Sequence, residues 1–225
     1  MADHSGHRQR MKDRFIKHGL DNFNDVNALE LLLFFAIPRG DTNPLAHDLI
    51  DRFGSLNAVL SARPEELMKV KGVGQTTAML IKLVPEFSRR YMMSFSDSVT
   101  TFNSSYELGK FFVPRFMFMR DEKLHIMCLD DMNRMLYCNK LFSGVPNSAE
   151  INIRKIAEVA ISTNATQVVL AHNHPDGVAI PSQDDRNLTR KIQLALMPMG
   201  IQLLDHIIVG GDDFVSLRED SKTSR

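Results

Sequence analysis

Residues 167–185 read QVVLAHNHPDGVAIPSQDD, and the organisation of the C-terminal half turns on this stretch. The run up to His172 is apolar and rich in valine, the pattern of a buried strand. Side chains two apart on a strand share a face, so His172 and His174 stand together at its end while Asn173 points the other way. Pro175 and Gly177 turn the chain back, and Ser182, three residues before Asp185, is placed to cap a helix beginning near Gln183. A strand, a turn and a capped helix account for the serine and the aspartate, because Ser-x-x-Asp is a common helix start. They leave unexplained two like-facing histidines with a carboxylate returned towards them. Two imidazoles and one carboxylate make three protein ligands with a fourth tetrahedral position for water, the arrangement of a catalytic Zn²⁺ site rather than a structural one.

Outward from this stretch the strand grammar continues. Strand patterns occur in KLHIMCLD (123–130), in RMLYCNKLF (134–142) after the turn DMN, in IQLLDHIIV (201–209) and in FVSL (214–217). Helical patterns intervene in INIRKIAEVAISTNA (151–165) and DDRNLTRKIQLALM (184–197). The order helix, two strands, helix, strand, helix, two strands predicts a mixed sheet flanked by helices. From Arg8 to Arg90 the apolar residues instead recur at helical spacing, as in ALELLLFFAI and LAHDLIDRF, with Gly and Pro at the turns. Between the two grammars MMSFSDSVTTFNSS loses periodicity and fills with Ser and Thr. The expected organisation is a helical domain over 1–92, a linker over 93–101 and a zinc-binding domain over 102–225, an α+β protein.

At 225 residues the chain suits two modest cores better than one. Its 44% hydrophobic and 24% charged residues are those of a folded protein, and no run approaches the roughly 20 apolar residues of a membrane span. The polar N-terminus lacks the apolar segment of a signal peptide, which points to a cytoplasmic protein with no membrane association. Cys128 and Cys138 each lie in an alternating apolar segment, as buried reduced thiols do, so a redox role is not expected. Net charge is zero, and the slight surplus of Lys and Arg in the first 92 residues is too small to identify a nucleic-acid partner.

The helical half carries its own motif. In KVKGVGQTTAML, Gly72 and Gly74 flank Val73 and a helix follows. Glycines permit a tight turn, and the helix start offers unpaired N–H groups, so together they form an anion pocket able to hold a DNA phosphate. Lys69, Lys71 and Lys82 lie nearby. The pattern resembles the helix-hairpin-helix motif, which implies backbone contacts to duplex DNA at Gly72, Gly74 and Lys71, although Gly-x-Gly also simply joins packed helices. FFAIPRGDTNPLAHDLI (34–50) reads as a degenerate copy of the same unit.

The spacing His-x-His, seven residues, Ser-x-x-Asp resembles the JAMM (MPN+) motif of deubiquitinating isopeptidases. More broadly, GHRQRMKDRFIKHGL, LIDRFGSL, VKGVGQTTA, the stretch 144–154, VVLAHNHPDG, PSQDD and LLDHIIVG fall in the order of the bacterial RadC family, over nearly the full length. The chain departs from that family at Asp176, usually Ser, and at Lys155, usually Glu; Asp176 adds a carboxylate near the site. HNH here is not the nuclease motif, whose residues are spread over a hairpin and helix. Cytidine deaminases share a related fold but need a Cys-x-x-Cys pair that is absent.

The resemblance implies a JAMM/MPN (cytidine-deaminase-like) fold in which His172, His174 and Asp185 hold Zn²⁺, a glutamate takes a proton from water, and Ser182 hydrogen-bonds the oxyanion of a cleaved peptide or isopeptide bond. The glutamate implied by position is Glu122, eight residues before Asp130. Glu150 and Glu158 are alternatives, Glu158 being simply paired to Arg154 one helical turn earlier. His206 and Asp205 remain outside the expected ligand set. Two other functions fit the same residues: a DNA repair or recombination accessory protein whose zinc domain is a structural or interaction platform, and a zinc-dependent phosphodiesterase.

Overall fold

The structure is a computed structural model describing residues 4–95, 100–143 and 153–223. The chain divides into two compact units, Met1–Ser88 and Arg89–Arg225.

The first unit is helical: α1 (His4–His18), α2 (Asp25–Ala36), α3 (Asn43–Phe53), α4 (Leu56–Ser61), α5 (Pro64–Leu67) and most of α6 (Gln75–Ser94). Side-chain oxygens of Asn24 and Ser55 accept the Asn27 and Ala58 N–H groups and so start α2 and α4. The apolar stripes converge on Leu29, Leu33, Leu49, Val59, Leu67 and Ile81, all buried. Two helical hairpins result, α2–α3 around Gly40 (φ 91°) and α5–α6 around Gly72 (φ 98°). They differ at the turn. Arg8 of α1 donates to the carbonyls of Ile37, Pro38 and Gly40 at 2.8, 3.1 and 2.7 Å, so the degenerate first hairpin is filled from within. In the second, Lys71, Gly72 and Gly74 remain exposed.

Helix α6 runs to Ser94, two residues into the stretch read from sequence as linker. The Ser94 hydroxyl satisfies the Tyr91 carbonyl, and Tyr91 packs edge-on against Phe95, which carries the helix past the serines that signal a loop. The other end of that stretch also has structure. Thr100 accepts the Met135 N–H, and Thr101 bridges Arg134, so these residues already belong to the second unit.

The second unit holds β1 (Lys123–Leu129), β2 (Met135–Ser143), β3 (Gln167–His174), β4 (Gln202–Gly210) and β5 (Asp213–Ser216) in the order β2-β1-β3-β4-β5. Only β3 and β4 are parallel, joined through α9 (Gln183–Leu196). Alternation along the strands separates two cores. Leu124, Ile126, Val168 and Leu170 face α8 (Ile153–Ser162) and α9, whereas Met127, Val169, Ala171 and Ile207 face α7 (Ser105–Phe116). This is the mixed sheet flanked by helices that the pattern predicts, in an α+β protein. A short helix, α10 (Leu217–Thr223), closes the described chain.

Burial raises the pKa of the Cys128 thiol and pushes that of Cys138 up to about 12, so both are inert thiols. Among the described residues no helix is long and apolar enough to cross a membrane.

Candidate metal centre

Strand β3 extends through His174, so both histidines lie on regular strand and face the same side. Helix α9 starts where the capping signal places it. Ser182 Oγ accepts the Asp185 N–H while the Asp185 carboxylate accepts the Ser182 N–H, a reciprocal box that aims the carboxylate back towards the strand end. Gly177 (φ 83°) provides the turn between them.

One donor atom each from His172, His174 and Asp185 lies within 4.8 Å of the others. His172 Nε2 is 3.0 Å from His174 Nε2 and 3.1 Å from Asp185 Oδ1, and His174 Nε2 is 3.5 Å from Asp185 Oδ2. Ligands about 2.0–2.1 Å from a tetrahedral zinc ion lie about 3.3–3.4 Å apart, a separation these distances bracket.

The protons decide how such a cluster holds together. His174 Nδ1 donates to the Val178 carbonyl at 2.9 Å, leaving Nε2 of the neutral ring with only a lone pair. His172 Nδ1 meets His206 Nε2 at 2.8 Å, and His206 Nδ1 meets Thr189 Oγ1 at 2.6 Å. Two bare imidazole nitrogens and a carboxylate converging at 3 Å repel one another unless a cation lies among them. The donor set therefore fits a divalent metal. Asp185 makes the same demand: burial pushes its carboxyl up, and only when the two imidazoles carry positive charge and N–H groups towards it, in place of a metal, is it held well below the usual carboxylate range.

Glu122 immediately precedes β1, whose antiparallel register pairs Leu124 with His172; two residues further along each strand, Glu122 comes alongside His174. Its carboxylate is 3.9 Å from His172 Nε2. Burial raises its pKa, and the charges of Asp185 and Asp176 act in the same direction, against the opposing pull of the histidines. A carboxylate raised in this way is a stronger proton acceptor than an exposed one. Glu158 instead makes an exposed ion pair with Arg154 at 2.8 Å, and Glu150 lies outside the described residues.

Sequence reasoning assigned no role to Asn173. Buried and turned away from the histidines, it accepts the Lys123 N–H at 2.9 Å and donates to the Asp121 carbonyl at 3.2 Å, fixing the backbone on both sides of Glu122. Ser182 donates its hydroxyl proton to Asp185 Oδ2 at 2.6 Å. The exposed Asp176 bonds the Val178 N–H within the return loop and supplies no atom to the cluster. Asp205 and His206, adjacent on β4, face opposite sides of the sheet: Asp205 accepts from Ser105 on α7, and His206 meets Thr189 on α9.

The RadC-like JAB domain family matches residues 102–222, the whole of the sheet and its helices. The chain belongs to the RadC family. Over 211 residues, 94% of the chain, it is 34% identical to a UPF0758 protein of Pseudoalteromonas translucida (strain TAC 125), with 94% of that protein covered. It is 31% identical, at the same share of this chain, to UPF0758 proteins of Idiomarina loihiensis and of Clostridium botulinum (strain Okra / Type B1), covering 94% and 92% of them. The similarity thus extends beyond the JAB domain into the helical unit, and His172, His174 and Asp185 all lie within the JAB match.

Proposed function

We propose that the RadC JAB domain is a zinc-dependent hydrolase of peptide or isopeptide bonds, and that the α5–α6 hairpin carries duplex DNA. One observation carries the first half: two imidazole nitrogens and a carboxylate oxygen converge on one point beside Glu122, whose pKa is raised. His172, His174 and Asp185 would hold Zn²⁺, which would supply Lewis acidity to polarise a carbonyl and to make water more acidic.

The chain's own groups do the rest. Glu122 accepts the proton of the attacking water and returns it to the departing amine nitrogen. Asn173 holds the backbone that presents Glu122. Ser182 donates its hydroxyl to the developing oxyanion; as the hydroxyl turns away from Asp185 Oδ2, the Ser182 N–H still bonds that oxygen at 2.8 Å. The DNA half is supported by the exposed Gly72–Gly74 turn with Lys71 beside it, and by a following helix with no acidic residue in its first turn. Contacts of this kind grip phosphates without reading bases.

Turnover on peptide, isopeptide-linked and DNA substrates, with and without a zinc chelator, tests the enzymatic half. Chelator-sensitive cleavage of an amide bond is expected, with Glu122→Gln slowing it by about a hundredfold while retaining zinc. Cleavage of DNA alone would make the centre a phosphodiesterase. No turnover on any substrate at full zinc content would make the domain an interaction platform of a repair or recombination accessory protein. For the hairpin, Gly72 and Gly74 replaced together by bulkier residues should weaken duplex binding in a mobility shift uniformly across sequences, with zinc content unchanged.

A further inference from the structure

Strand β4 contributes no ligand, yet two of its residues contact what holds the ligands. We propose that β4 sets which nitrogen of each histidine faces the metal position, through the Thr189–His206 pair for His172 and through Gly210 for His174. The inference rests on the metal reading above, and makes Thr189, His206 and Gly210 positioning residues.

The Thr189 hydroxyl has one proton. The Asp185 backbone carbonyl, 2.6 Å from Oγ1, can only accept, so the proton goes there. Oγ1 also lies 2.6 Å from His206 Nδ1, and that contact requires the proton on Nδ1. A neutral imidazole carries one N–H, so His206 Nε2 is a lone pair. It faces His172 Nδ1 at 2.8 Å, which must bring the proton, and His172 Nε2 is left bare towards His174 and Asp185. Each link dictates the next. Reversing the first would turn an N–H of His172 towards the metal position. The same residues tie the relay to the third ligand, because the carbonyl that starts it belongs to Asp185.

His174 is set differently. Gly210 pairs with it across the β3–β4 ladder, and a Cβ at 210 would overlap the backbone atoms of Val178 and Ala179. Only a residue without a side chain lets the return loop lie this close to the strand. In that position Val178 accepts the His174 Nδ1 proton at 2.9 Å, and Nε2 is bare.

Imidazole ¹⁵N–¹H correlation spectra of the metal-free full-length protein, taken above the range in which histidines protonate, read the tautomers directly. His172, His174 and His206 should all carry the proton on Nδ1; Nε2–H on His206 or His172 would overturn the inference. Zinc affinity by competition with a chromogenic chelator gives the second readout. Thr189→Val, which keeps the shape and removes the hydroxyl, should weaken zinc binding about 10- to 100-fold, whereas Thr189→Ser should stay near the wild type. A packing role would give the opposite order and contradict the relay. Gly210→Ala should weaken zinc binding on the same scale and leave His174 with mixed tautomers, and an unchanged His174 spectrum would remove Gly210 from the account. His172→Ala separates the two levels of argument. If it keeps zinc, or the wild type binds none, the metal reading fails, while the wild-type tautomers still decide the relay.

Discussion

Asp205 and Asp185 are both acids held inside the second unit, and they are held in opposite ways. Every neighbour of Asp205 brings a proton: the Ser105 and Ser216 hydroxyls at 2.7 and 2.8 Å, and the His206 and Arg218 backbone N–H groups at 2.7 and 3.2 Å. Its charge is fully answered, and the carboxylate ties α7, β4 and the β5–α10 corner together. Asp185 is answered on one oxygen, by Ser182, and turns the other to an imidazole nitrogen whose ring has placed its proton elsewhere. Burial does not separate the two, since Asp205 is the more buried. What separates structure from chemistry is whether the protons around a carboxylate are already present or must be replaced by an external cation.

That comparison can be broken from either side. The largest effect on stability is expected at Asp205→Ala, which strands two buried hydroxyls and two N–H groups and should destabilise the protein by about 3 kcal/mol in chemical denaturation. Zinc content should be unchanged; zinc loss at unaltered stability would place Asp205 in the metal centre.

The same contrast recurs among the histidines. Burial, reinforced by the charges of Arg115 and Lys123, lowers the pKa of His125 on β1 from 6.5 to about 4. The unfolded chain therefore binds a proton between those values that the folded one refuses, so stability present above pH 6.5 is lost as pH falls towards 4. After allowance for its partial exposure the loss is about 2 kcal/mol. Acid denaturation of a His125→Phe variant should lack it, and an identical acid profile would show that His125 is not the group. The smallest effect is expected at Ser182→Ala, where loss of the α9 cap should lower stability by about 1 kcal/mol. A much larger loss would mean that Ser182 supports the core as Asp205 does.

Much of this was legible in the chain. The period of two placed His172 and His174 on one face, and the Ser-x-x-Asp signal located the start of α9, so the cluster could be read before the sheet order was known. The residues around the cluster could not, because their roles depend on register between strands distant in sequence. His206 lies beside His172 only because β3 and β4 run parallel with Leu170 opposite His206, and Asn173 reaches the Glu122 backbone only because β1 pairs antiparallel with β3. In the helical unit, positive-φ glycines occur in both hairpins as the repeat suggested, but nothing local shows that Arg8, some 30 residues away, fills the first. Helix α6 outran its loop signal because the Ser94 hydroxyl bonds the Tyr91 backbone carbonyl one turn earlier and the Tyr91 ring packs against Phe95.

The central claim is that His172, His174 and Asp185 hold one metal ion. Elemental analysis of the purified wild type beside His172→Ala and Asp185→Ala tests it most directly. The account predicts about one zinc per chain in the wild type and background levels in both variants, with the fold intact by circular dichroism, because two remaining ligands are too few to retain the ion. Full zinc occupancy in either variant would contradict it.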